Sequence, residues 1–184
     1  RVFCGTMAIS DNETGKRGGA LYRLDLDGTI SAVVRGVGIS NGMGFSPNHK
    51  TFYYTDTLNW GIDVFEYDEQ TGLISNRREF TRSDRTAGSP DGMTVDADGN
   101  VWSARWGGSG VFKYASSGEE IDKIDLPTGA VSSVTFGGSD YTDMYITTAD
   151  GHDKIQYGSQ AGALFRIDVG VKGVPEFTSR IGIQ

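Results

Sequence analysis

The chain has 184 residues, with 17 Lys and Arg against 24 Asp and Glu, a formal net charge of −7 and a sequence pI of about 4.8. That balance excludes the basic footprint that nucleic acid or an anionic membrane surface requires, and the length fits one domain able to bury a core. The single cysteine, Cys4, excludes an internal disulfide and a cysteine-built zinc site. Apolar runs fall far short of the about 18 residues a membrane span needs, and "RVFCGTMAIS" lacks the charged-then-apolar order of a signal peptide, so a soluble protein of the reducing cytoplasm is expected.

In chain order, the first element is the apolar "VFCGTMA", in which Cys4 is expected to be a small buried side chain. It is followed by "LYRLDLDGTI" at 21–30, whose Asp-x-Asp-Gly-Thr resembles the nucleophile strand of haloacid dehalogenase phosphatases. That chemistry needs the motif to leave a parallel strand and lead into helices, and the rest of the chain offers no sustained 3.6-residue periodicity. Asp25 and Asp27 are therefore read as turn residues whose carboxylates accept backbone N–H groups.

The pentapeptide recurs, because "LYRLD" at 21 is answered by "VFEYD" at 64, "VFKYA" at 111 and "LFRID" at 164. Each alternates apolar and polar residues with the two-residue period of a half-buried strand, and each runs into Gly-rich turn chemistry. A second repeat keeps step with the first. "NGMGFSPNHKTFYY" at 41–54 matches "DGMTVDADGNVWSA" at 91–104 without a gap, pairing Gly42 with Gly92, Met43 with Met93, Phe45 with Val95 and Phe52 with Trp102. A looser third copy, "SSVTFGGSDYTDMYIT" at 132–147, sets Phe136 against Val95.

Four short antiparallel strands at a spacing of 40 to 50 residues predict propeller blades, hence an all-β chain forming part of a β-propeller. The expected organisation is one partial propeller domain over 1–184, with an incomplete blade at 1–35 lacking its innermost strand and blades at 39–80, 91–126 and 130–180. "DADGN" at 96–100 imitates a calcium loop of the EF-hand type, but Thr94 and Arg105 stand where acids are needed. It is read as a tight turn between two strands of one blade.

The segments "ISNGMGFSPNHKTFYYTDTLNWGIDVFEYDEQTGLISNRR" and "SPDGMTVDADGNVWSARW" resemble the gluconolactonase and regucalcin (senescence marker protein) family of calcium-dependent lactonases. "CGTMA", "GGALYRLD", "VSSVTFGG" and "AGALFRIDVGVKG" resemble further family segments in the same order. The resemblance implies a six-bladed propeller with one metal in the central channel, held by a Glu from the first blade, an Asn and an Asp. The Asn falls on Asn41 and the Asp on Asp91, two residues that the repeat also sets at equivalent points of adjacent blades.

Amide and carboxylate oxygens are hard ligands, so calcium is the first expectation, with zinc, manganese or magnesium as alternatives. The implied chemistry is hydrolysis of a sugar lactone, with the carbonyl polarised by the metal and Asp91 assisting water attack. Taken alone, Asn-Gly and Asp-Gly are also common turn dipeptides. Six blades need roughly 270 residues, so this sequence is expected to be an N-terminally truncated propeller without the blade that carries the Glu.

Such a chain is expected to self-associate through open blade faces. A non-catalytic remnant, or a calcium-binding protein without the first ligand, is the alternative function. Family members of the vertebrate type follow "GTMA" with acids, whereas Ile9 and Ser10 precede Asp11 here. Arg105 and Trp106 are placed at the channel mouth as substrate contacts, with 149–160 as a lid-like loop. His49 and His152 are read as surface residues, and Ser132 and Ser133 as channel lining.

Overall fold

A computed structural model of the chain describes residues 1–7, 17–150, 154–175 and 177–178. Ile9, Ser10, Asp11 and His152 lie outside the described residues. The alternating runs form antiparallel strands in four successive sheets. The first sheet contains β1 (Val2–Gly5), β2 (Gly19–Leu24) and β3 (Ile30–Val37). The second contains β4 (Ser40–Phe45), β5 (Thr51–Asp56), β6 (Gly61–Asp68) and β7 (Leu73–Arg82).

The third sheet is built from β8 (Ser89–Val95), β9 (Val101–Trp106), β10 (Gly110–Tyr114) and β11 (Glu120–Asp125). The fourth holds β12 (Val131–Gly137), β13 (Asp143–Thr148) and β14 (Leu164–Asp168). Each sheet is an up-and-down meander, the blade unit of a β-propeller, so the expectation of an all-β propeller is met. The recurring pentapeptides lie on β2, β6, β10 and β14. The first sheet therefore starts one strand later than the others.

Period-two alternation gives every central strand two apolar faces, and three hydrophobic layers result. Leu21, Val34 and Val37 of the first sheet pack on Phe52, Tyr54 and Phe65 of the second. Tyr53, Ile62, Val64 and Phe80 meet Met93, Val95, Val101, Phe112 and Tyr114 of the third. Trp102, Ala104 and Val111 meet Val131, Val134, Phe136, Met144 and Ile146 of the fourth. Each such fully buried side chain stabilises by about 1.5–3 kcal/mol.

The register corrects one pairing drawn from the repeat. Met43 pairs with Tyr54 and Phe45 with Phe52, whereas Met93 pairs with Ser103 and Val95 with Val101. The inner strands thus superpose at a shift of 50, but the second strands superpose at 49, because the turn over residues 46–51 is longer than that over 96–100. Phe52 is equivalent to Val101, and Tyr53 to Trp102. One residue of slip exchanges the two faces of a strand, which is why Phe52 faces the preceding sheet and Trp102 the following one.

Two side chains, Cys4 and Asp25, differ from their reading, while Asp27 and Asp96 follow it. Cys4 is exposed, because β1 turns Phe3 onto Phe45 and Phe52 and leaves Cys4 on the opposite face, uncovered among the described residues. Asp27 accepts the Thr29 N–H at 2.9 Å as an Asx turn should, but Asp25 is held by Arg1 at 2.7 Å and Arg23 at 2.8 Å. Asp96 is fully buried and accepts from the backbone of Asp98 and Asn100 and from Trp102 Nε1, so "DADGN" is a self-satisfied turn.

Beyond β14 the chain runs beneath the opposite end of the sheets from the starts of β4 and β8. Ala97 N–H donates to Lys172 O at 2.8 Å, Gly173 N–H donates to Tyr141 O at 2.8 Å, and Phe177 packs on Phe45 and His49.

The inner strands of neighbouring sheets approach closely at two glycines. A Cβ on Gly42 would lie 2.6 Å from Asp91 O and Met93 N, and one on Gly92 would lie 2.3 Å from Ser133 Oγ and 2.8 Å from Ser132 O. Gly42→Ala is therefore expected to destabilise by about 1–3 kcal/mol. Gly18→Ala, which meets nothing within 4 Å, should be near neutral. Thermal melting of the two variants beside the parent chain checks both.

Candidate functional site

Each inner strand is irregular at the same level. Ser40 pairs with Asp56 and Met43 with Tyr54, so Asn41 and Gly42 together oppose the single residue Thr55. Pro90 pairs with Arg105 and Met93 with Ser103, so Asp91 and Gly92 oppose Ala104. In the fourth sheet the extra residue is Ser132, between the pairs Val131–Thr148 and Ser133–Thr147. These are β-bulges, which re-aim a side chain that regular pleating would fix. Asn-Gly and Asp-Gly therefore lie inside strands β4 and β8 and are not hairpin turns.

The bulges bring Asn41 and Asp91 to the same level of adjacent inner strands, where the Asn41 amide favours the ionised form of the Asp91 carboxyl. Both residues are half-buried. Burial pushes the Asp91 carboxyl up to about 6, offset in part by the bonds from Asn41 and from the Gly92 backbone. Among the described residues no Lys, Arg or His pairs with Asp91. The pair offers an amide oxygen and a carboxylate with no basic partner among the described residues. That donor set fits a hard cation. Among the described residues no three His, Cys, Asp or Glu side chains converge to hold a metal ion, at this pair or elsewhere.

A residue not singled out from the sequence completes the arrangement. Thr57 opens a short 3₁₀ turn, Thr57–Asn59, after β5. Its hydroxyl accepts from Asn41 Nδ2 at 3.2 Å and donates to Pro90 O at 2.8 Å. No local motif marks Thr57, because its partners are 16 and 33 residues distant in the chain. Ser132 sits at the third bulge with its hydroxyl 2.9 Å from Thr147 Oγ1, and Ser133 is exposed.

Arg105 is not at the channel mouth. It is fully buried between the second and third sheets, where its guanidinium donates to Tyr114 Oη at 2.5 Å and to Ser83 Oγ and lies 5.4 Å over Phe112. Burial holds its pKa below the usual guanidinium value, offset only in part by Tyr114 and Glu120. The register slip explains the placement, for Arg105 is the counterpart of Asp56. Asp56 accepts Gly38 and Ile39 N–H groups of the segment entering the second sheet, and Arg105 holds Ser83 in the segment entering the third.

Trp106, one residue on, faces the fourth sheet and is half-buried. It pairs with Ser89 at the Asp91 end of the sheets and meets Tyr157, on the helical turn Lys154–Tyr157, edge to face at 5.7 Å.

Successive meanders with a carboxylate and an amide gathered on neighbouring inner strands define a propeller with a polar inner site. The chain belongs to the SMP-30/Gluconolactonase/LRE-like region family, whose model matches residues 1–150. It is 48% identical over 188 residues to Pentonolactonase XacC of Haloferax volcanii, covering 98% of this chain and 63% of that protein. It is 40% identical over 184 residues to Regucalcin of Gallus gallus, covering 96% and 62%.

Among solved structures, it resembles a luciferin-regenerating enzyme with a TM-score of 0.83 at 32% identity, over 94% of this chain and 59% of that one. A calcium-binding protein, regucalcin, from Agrobacterium tumefaciens matches with a TM-score of 0.85 at 27% identity, over 98% and 61%. The chain spans a little under two thirds of the length of these curated relatives.

Because the Arg105 guanidinium is buried and hydrogen-bonded, Arg105→Ala should cost about 3 kcal/mol in denaturant unfolding. Arg105→Met, which fills the volume without leaving a charge, should cost much less. Equal losses would show that the hydrogen bonds, not the packing, carry the effect.

Proposed function

We propose that the chain carries the site of a metal-dependent sugar lactonase, in which Asn41 and Asp91 are protein ligands and calcium is the preferred ion. The observation that carries this reading is the pair of bulges that sets an amide and a carboxylate side by side on adjacent inner strands, with no basic partner among the described residues. The similarity to a pentonolactonase supports a lactone as substrate, and the regucalcin and calcium-binding relatives support a divalent ion.

A bound divalent ion would supply Lewis acidity toward the lactone carbonyl. Asp91 orients the attacking water and accepts its proton at a carboxylate oxygen. Asn41 contributes its amide oxygen and holds the carboxylate in place. Trp106 and Tyr157 offer an aromatic edge at the same end of the sheets, suited to the apolar face of a sugar ring.

Opening of D-glucono-1,5-lactone and of pentonolactones should be measured with added calcium, manganese or zinc. Rates should exceed the protein-free background, and Asp91→Asn should lower kcat/KM by about a hundredfold or more. Unchanged turnover in Asp91→Asn would remove the proposed role. A second reading, a calcium-binding propeller without turnover, is favoured by the single carboxylate at the site. Calcium binding lost in Asp91→Asn, with lactone opening at background throughout, would select it.

Trp106→Ala should raise KM severalfold with little change in kcat, the signature of binding shared by ground and transition states. Steady-state kinetics over a range of lactone concentrations separates the two constants.

A further inference from the structure

We infer that Thr57 is a positioning residue that decides which end of the Asn41 amide is presented to a cation. The inference rests on the reading of Asn41 and Asp91 as metal ligands and assigns a role to a residue that touches neither the ion nor the substrate.

The argument is one of hydrogen-bond valence. A threonine hydroxyl has one hydrogen and two lone pairs. The Thr57 hydrogen is given to Pro90 O at 2.8 Å, a carbonyl that can only accept. Toward Asn41 the hydroxyl therefore presents lone pairs, and only the amide NH2 group can face it, as it does at 3.2 Å. Turning the amide over would set two acceptors against each other and lose the bond. Oδ1, the atom a hard cation needs, is thus turned away from Thr57.

This constraint matters because of the neighbour. An amide beside a carboxylate gains by giving it an N–H, which turns the nitrogen rather than the oxygen toward a shared ion. Thr57 instead fixes the amide nitrogen on its own hydroxyl. Its own backbone leaves it little freedom, since Thr57 N–H donates to Ile39 O at 3.0 Å and Trp60 N–H donates to Thr57 O at 3.0 Å. The Asp56 carboxylate caps the same turn through Leu58 N–H at 3.2 Å. Partners of this kind, bound to a ligand but not to the metal, typically change affinity by about 10–100-fold when removed.

The test is the affinity of the chain for calcium alone by titration calorimetry, with terbium luminescence as a second readout independent of turnover. Thr57→Val should weaken binding about tenfold, and Thr57→Ser, which keeps the hydroxyl, should bind within about twofold of the parent. Thr57→Ala provides the same test if the valine does not fold. The decisive comparison is in the Asn41→Asp background, where the two carboxylate oxygens are equivalent and no orientation needs fixing. There Thr57→Val should change affinity by less than about twofold.

Equal weakening in both backgrounds would make Thr57 merely structural and overturn the inference. So would unchanged affinity of Thr57→Val while Asp91→Asn abolishes binding. If Asp91→Asn also leaves affinity unchanged, the reading of the metal site itself fails, and the inference fails with it.

Discussion

The inner strands of neighbouring sheets approach until main chain meets main chain, and this constraint organises the rest. Gly42 lies against the Asp91 and Met93 backbone, and Gly92 against Ser132 and Ser133, at distances that leave no room for a Cβ. Because the sheets are locked there, the hydrophobic layers between the second and third and between the third and fourth sheets have fixed spacing. The bulges at the same level can then aim Asn41 and Asp91 at each other with little tolerance. Packing and site geometry share one set of contacts.

The links between blades use a second shared device. A residue at or next to the end of the second strand reaches back to hold the segment arriving from the previous sheet. In one sheet that residue is Asp56, which accepts backbone N–H groups, and in the next it is Arg105, which donates to a serine hydroxyl. Opposite charges serve the same end because the arriving segments offer opposite partners. Thr57, next to Asp56, extends this bracing to Pro90 in the following sheet and to Asn41. The site is thus tied to the crossings that hold successive blades in register.

Much of this was legible in the sequence, for a physical reason. Repeated strands must repeat their period-two pattern and their glycines, so the equivalence of Gly42 with Gly92 and Met43 with Met93 is visible without a structure. It placed Asn41 and Asp91 at equivalent points, and the register bears that equivalence out. What was hidden lay one turn further on. The longer turn before β5 moves the second strands by one residue, which exchanges their faces and sends Arg105 into an inter-sheet layer. Cys4 sits in an apolar run, but its burial depends on whether another sheet covers that face. Thr57 was invisible because both its side-chain bonds are made to residues remote in the chain.

The bulge recurring in each inner strand has a consequence for how such a scaffold can change. It is a property of the main chain, so the side chain it projects is interchangeable while the surrounding layers stay intact. Three addresses carry an amide, an acid and an alcohol at Asn41, Asp91 and Ser132. Rewriting one of them alters the charge and donor character of the interior while the glycines beside it, Gly42 and Gly92, keep the close approach of the inner strands.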